Sequence, residues 1–200
     1  ALLLSFASPP AAAAAGLTDQ NGAPFTLEQL RGRWVLLAFG YTHCPDVCPT
    51  GLYTLAQTRN ILGPQADKLT AGFVSVDPER DTPAVLKDYL ALFHDKLIGV
   101  TGDLTAVDEL AVRHRVKYAK VQITPDHYAM DHTASFILVS PTGEQASRLH
   151  HGLKPEALAD KLSSGLCAEG ALSAEDAATR KMVQALLQAG VPTVRGGSVG

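Results

Sequence analysis

Trp34-Val35-Leu36-Leu37-Ala38-Phe39-Gly40-Tyr41 runs without a charge into Thr42-His43-Cys44-Pro45-Asp46-Val47-Cys48-Pro49. The first eight residues have strand length and no polar interruption, as suits a strand covered on both faces in a parallel sheet. Beyond the loop, Leu52, Leu55, Ala56, Arg59 and Leu62 keep helical spacing until Gly63-Pro64 stops it. The passage therefore reads strand, Cys-bearing loop, helix. Loops at the carboxyl ends of parallel strands are where such sheets place their sites.

Working outward, Ala71 to Asp77 is a second strand, and Thr82-Pro83 starts a helix through Leu86, Tyr89, Leu90 and Phe93. Leu97 to Val100 is a short strand. Leu104 to His114 is a helix with Ala106, Val107, Leu110 and Ala111 on one face. Val116 to Ile123 alternates weakly and reads as an edge strand. Ala134 to Ser140, the turn Pro141-Thr142-Gly143-Glu144 and Gln145 to His151 form a hairpin, and Lys154 to Leu166 closes with a helix. Strands alternating with helices imply right-handed parallel crossovers. The predicted fold is α/β: a thioredoxin-like central sheet with flanking helices, an inserted strand–helix unit and a late β-hairpin.

Length and composition agree. The chain has 200 residues, and 17 Lys plus Arg against 20 Asp plus Glu give a charge of −3. A domain of roughly 150 residues buries about 68–70% of its unfolded surface and needs no disulfide staple. Apolar residues at 46% and charged residues at 18% describe a globular protein. The near-neutral balance argues against nucleic acid as partner. Two Met exclude a Met-rich metal carrier, and three Cys are too few for a disulfide scaffold.

Both ends stand apart from residues 16–166, the predicted domain. Residues 1–15 run from Ala1-Leu2-Leu3-Leu4 through Pro9-Pro10 to Ala15 with no charge, and read as the remnant of a signal or anchor. Export to the periplasm, free or tethered to the outer face of the inner membrane through this N-terminus, is expected. It would place the Cys pair in an oxidising compartment. Residues 167–200 read as an appended helix over Ser173 to Ala189 and a flexible tail after Pro192. Cys167 has no evident partner.

The spacing of Cys44 and Cys48 is C-x3-C. Pro49 fits a first helical position, so Cys48 is expected to cap the helix, where amides and dipole favour a thiolate. Asp46 opposes thiol acidity but favours a bound cation. A disulfide wants Cβ atoms about 3.8 Å apart. Residues four apart on a helix sit at roughly 5–6 Å. Two thiolates at about 2.3 Å from one metal leave their sulfurs about 4 Å apart, so the pair suits a bridging metal somewhat better than a direct bond. Soft thiolates select copper(I), zinc or iron–sulfur clusters.

A third ligand is expected to be His. His43 should point away from Cys44. His94 and His114 fall in predicted helices on solvated faces, and His150-His151 reads as surface. His127 and His132 lie in the loop Thr124 to Thr133, entering the strand beside the Cys strand. Position alone leaves His132 either a ligand or a structural His.

Together, Gly40 to Pro49, Ser75-Val76-Asp77-Pro78-Glu79-Arg80-Asp81-Thr82-Pro83 and Asp131-His132-Thr133 resemble the SCO/SenC family over about Gly16 to Leu166. The family comprises thioredoxin-like copper proteins that help assemble the dinuclear copper centre of cytochrome c oxidase. The resemblance implies a metallochaperone with copper, Cu(I) or Cu(II), held by Cys44, Cys48 and His132. Its implied partners are the copper-bearing oxidase subunit and other copper carriers or thiol reductants. The second motif reads as structural, with Asp81 capping the helix that Pro83 begins. A docking role for Glu79 and Arg80 is the sharper alternative.

Two other functions stay open. One is a thiol–disulfide oxidoreductase acting through a Cys44–Cys48 redox disulfide on copper-site cysteines. Thr42-His43 before Cys44, and His132-Thr133 where a cis-Pro usually stands, weigh against a fast dithiol catalyst. The other is a copper or redox sensor.

Overall fold

The computed structural model describes residues 16–168, with side chains described to Ser164. Residues 1–15 and the expected helix over Ser173 to Ala189 lie outside the described residues.

The strands are β1 (Leu17–Asp19), β2 (Trp34–Gly40), β3 (Leu69–Ser75), β4 (Ile98–Gly102), β5 (Tyr118–Thr124), β6 (His127–His132), β7 (Ser135–Val139) and β8 (Gln145–His150). The helices are α1 (Val47–Leu62), α2 (Pro83–Ala91), α3 (Leu104–Arg113) and α4 (Pro155–Ala168). Six strands form one sheet in the order β1-β4-β3-β2-β7-β8. β2 runs parallel to β3, from Trp34 opposite Leu69 to Gly40 opposite Ser75, and antiparallel to β7. This is the thioredoxin-like arrangement. The apolar run 34–40 lies at its centre because both its faces are covered; Leu36, Leu37 and Phe39 are all buried. β3 is buried along its whole length. α1 packs against α4, with Leu52, Leu55, Leu158 and Leu162 buried.

Two expectations about strands change. Val116 to Ile123 is not an edge of the main sheet: among the described residues β5 pairs only with β6, in a separate antiparallel ribbon. Residues 127–132, expected as loop, are its second strand. β5 exposes Ala119 to Thr124 on both faces, so it lacks the one-sided alternation that marks a half-buried strand. β1, three residues pairing antiparallel with β4, is too short to show a period.

His114 is not on a solvated face. It ends α3 1% exposed, with its ring 6.5 Å from that of Phe39. Burial pushes its pKa down, the Arg113 and Arg148 charges add to this, and the Gln145 side chain opposes. The fold thus holds a neutral imidazole. As pH falls below 6.5, the ordinary His value, the unfolded chain takes up a proton that the fold resists, and stability is lost. Unfolding in urea between pH 7 and 5 should show His114→Leu losing less stability than the parent, by up to about 1.4 kcal/mol per pH unit. Equal slopes would show that His114 is not the responsible group.

Candidate metal centre

β2 ends at Gly40, and the chain turns through Tyr41 to Asp46 into α1. Two anchors fix this turn. The Cys44 N–H donates to the Tyr41 carbonyl (3.2 Å). Asp81, fully buried, accepts from the Thr42 N–H (3.0 Å), the Thr42 hydroxyl (2.6 Å) and the Ser75 hydroxyl (2.7 Å). Asp81 therefore ties the Cys turn to the segment after β3 and is not the cap of α2. That cap is Thr82, whose hydroxyl accepts from the Val85 N–H. Burial raises the Asp81 carboxyl's pKa, and the hydroxyls and amide it accepts from work to hold it down.

α1 begins at Val47, with Asp46 as its N-cap. Cys48 is thus inside the first turn and Pro49 is the third helical residue, so the helix starts two residues earlier than the Pro suggests. Cys48 is buried, while Cys44 is half-buried. Gly40 is the reason Cys48 fits. A Cβ at 40 would lie 2.6 Å from the Cys48 Sγ and 2.8 Å from the Phe73 ring, so only Gly leaves room for the thiol.

The third side chain arrives from β6. His132 Nε2 lies 3.5 Å from the Cys48 Sγ. Its Nδ1 is 3.4 Å from the Thr133 carbonyl, a weak contact that places the ring proton on Nδ1 and leaves the Nε2 lone pair facing the sulfur. Tyr41 packs edge-on against the ring at 6.1 Å between centres. The ligand atoms of Cys44, Cys48 and His132 all lie within 4.8 Å of one another. Both cysteines are free thiols.

Charge at the site follows from burial. Burial pushes the Cys48 thiol well above its ordinary range, with Cys44 and Asp81 adding to the effect. Burial also lowers the His132 pKa, which keeps the imidazole neutral. Beside a neutral imidazole, a soft cation would displace the protons of the buried Cys48 and half-buried Cys44 thiols. The donor set of two sulfurs and one imidazole nitrogen fits such an ion.

The other histidines separate clearly. His43 is exposed, bonded to the Thr42 hydroxyl, and is not part of the Cys44–Cys48–His132 cluster. His127 and His150 are exposed. His94 lies beyond the end of α2, half-buried, where Nδ1 accepts from the Lys96 N–H. His151, expected at the surface, is half-buried: its Nε2–H donates to the Val47 carbonyl (2.5 Å), and its ring stacks on Phe136 at 6.0 Å. It braces the first turn of α1. No spacing in the sequence couples 151 to 47.

The family model described as SCO1/SenC matches residues 11–166. The chain belongs to the SCO1/SenC family. An SCO2-like protein of Rickettsia felis is 35% identical over 148 residues, covering 73% of this chain and 72% of the relative. The structure of Bradyrhizobium japonicum ScoI with copper bound has 43% identity and a TM-score of 0.70 over 74% of this chain and 95% of that one. BsSco, described as a member of the Sco family of cytochrome c oxidase assembly proteins with a disulfide switch, has 25% identity. Its TM-score is 0.62 over 79% of this chain and 92% of that one. Among the described residues of this SCO1/SenC chain, no helix is long and apolar enough to cross a membrane.

Proposed function

We propose that this SCO1/SenC protein binds one copper ion through Cys44, Cys48 and His132. It delivers that ion for assembly of the dinuclear copper centre of cytochrome c oxidase, whose copper-bearing subunit is the partner. The observation that carries the reading is the convergence of two thiols and one neutral imidazole within 4.8 Å. Two sulfurs suit Cu(I), and the nitrogen makes Cu(II) acceptable as well. Copper is cargo here: loading releases thiol protons and handover exchanges ligands, with no net electron transfer if Cu(I) enters and leaves. The working place is the periplasm, free or held at the inner membrane through the N-terminal segment.

A second reading, reduction of a partner's copper-site disulfide by the same pair, is favoured by one observation. Cys44 is half-buried and Cys48 buried. That suits an accessible attacking thiol and a protected resolving one. In such a step the Cys44 thiolate attacks the partner disulfide, and Cys48 then closes the Cys44–Cys48 disulfide and releases the partner dithiol.

Anaerobic titration with Cu(I), followed by metal analysis, tests delivery, with one copper per chain expected. Thiol counting on the copper-free chain after exposure to air should give one free thiol, Cys167, as Cys44 and Cys48 pair. No bound copper would overturn the chaperone reading. Three free thiols would overturn the redox one.

A further inference from the structure

The third ligand sits on an element that shares no strand pairing with the main sheet. β6 carries His132, and its partner β5 is paired to nothing else among the described residues. Alternation along a strand puts Tyr128, Met130 and His132 on one face. Met130 is buried and the other two are half-buried, so this face meets the body of the protein.

Tyr128 is one of the points where the ribbon is fastened, beside the buried Met130 and the Tyr118 hydroxyl that donates to Asp108. The Arg80 guanidinium carbon lies 3.7 Å from its ring centre and the Lys120 ammonium 4.0 Å. The Tyr128 hydroxyl donates to Asp77 Oδ1 (2.9 Å), and Arg80 Nη1 donates to the Tyr128 carbonyl (3.2 Å). Arg80 Nε also pairs with Asp77 Oδ2 (2.5 Å), and Lys120 pairs with Glu79 (2.6 Å). Asp77 is 3% exposed, so its charge needs these partners. The same short segment holds the cysteines, through Asp81 and Thr42. Both halves of the site therefore hang on residues 77–81.

We propose that Tyr128, clamped by Arg80 and Asp77, is a positioning residue that holds His132 in register with the two sulfurs. This rests on the copper reading and deepens it. The clamp touches no ligand atom; it acts through the ribbon and, from Arg80, through Tyr41, whose ring centre lies 5.7 Å from the guanidinium and which packs against His132. Its loss should act as the loss of an outer partner of a metal ligand does, weakening binding by about 10–100-fold.

The test is a double-mutant cycle on the full chain, with Cu(II) salt as the probe. Binding is followed by the thiolate-to-copper absorption band. Tyr128→Ala, and separately Arg80→Lys, which keeps the charge but loses the planar fork, are each made in the parent and in His132→Ala. Both substitutions are expected to weaken Cu(II) binding about 10–100-fold in the parent and to cost nothing further in His132→Ala. Tyr128→Phe, which keeps the ring between its cations, should recover most of the affinity. A second readout needs no metal: amide exchange at Met130 to His132 should quicken in Tyr128→Ala while β2 and α1 stay protected. Unchanged Cu(II) affinity, or equal losses in both backgrounds, would overturn the proposal. Should the parent bind no copper, the copper reading fails, and unchanged ribbon exchange would then overturn the clamp separately.

Discussion

Cys48→Ser should bind Cu(I) more than about 100-fold more weakly than the parent, exceeding what loss of an outer partner usually costs. The thiolate is a soft ligand, and a serine hydroxyl is a hard one that stays protonated. The Cys48 sulfur also lies 3.5 Å from the imidazole, and the residue is only 5% exposed. With so little access, water cannot easily stand in for the missing sulfur. Cys44→Ser should lose as much, since one thiolate and one imidazole cannot hold Cu(I) as two thiolates do. The measurement is anaerobic competition against a Cu(I) chelator. Unfolding midpoints near that of the parent would separate ligand loss from misfolding. If both variants hold copper as tightly as the parent, the ion binds elsewhere.

The residues of this trio were readable at different levels. The apolar run 34–41 placed Cys44 and Cys48 at the end of a central strand, because a strand covered on both faces leaves a continuous hydrophobic signature. The helix after them was readable from Leu52, Leu55 and Leu62, but its start was not. Pro49 fits any of the first helical positions, since none of their N–H groups has an intrahelical acceptor. His132 was a candidate by position and became a ligand by resemblance. Its strand was hidden because Ala129 breaks the polar alternation between the inward-facing Tyr128 and Met130, and because its partner β5 is exposed on both faces. Asp81, Gly40 and His151 were beyond reach for a common reason. Each acts across the fold, on Thr42, on the Cys48 sulfur and on Val47, and local periodicity carries no information about such contacts. His114 shows the converse error. A polar residue at a helix end reads as solvated, but the end of α3 is covered by the body of the protein.

His132→Ala should divide the two oxidation states of copper. Cu(I) is satisfied by few soft ligands and should remain on Cys44 and Cys48 with reduced affinity. Cu(II) prefers tetragonal sites with nitrogen, and His132 is the only nitrogen in the trio. Its affinity should fall by more than about 100-fold, again exceeding an outer-partner loss. Dithiol chemistry should persist, because attack by Cys44 and closure by Cys48 use no imidazole. The variant should therefore reduce a model disulfide at close to the parent's rate yet fail to support oxidase assembly. A purely structural His132 would behave differently: its contacts would cost about 1–3 kcal/mol of stability, with copper binding unchanged. Burial already keeps this imidazole neutral, and Nε2 faces the Cys48 sulfur. The ring is thus presented as a donor without the proton that would block it. Titrations in both oxidation states beside thermal unfolding decide the matter, and undiminished Cu(II) affinity would sink the three-ligand site.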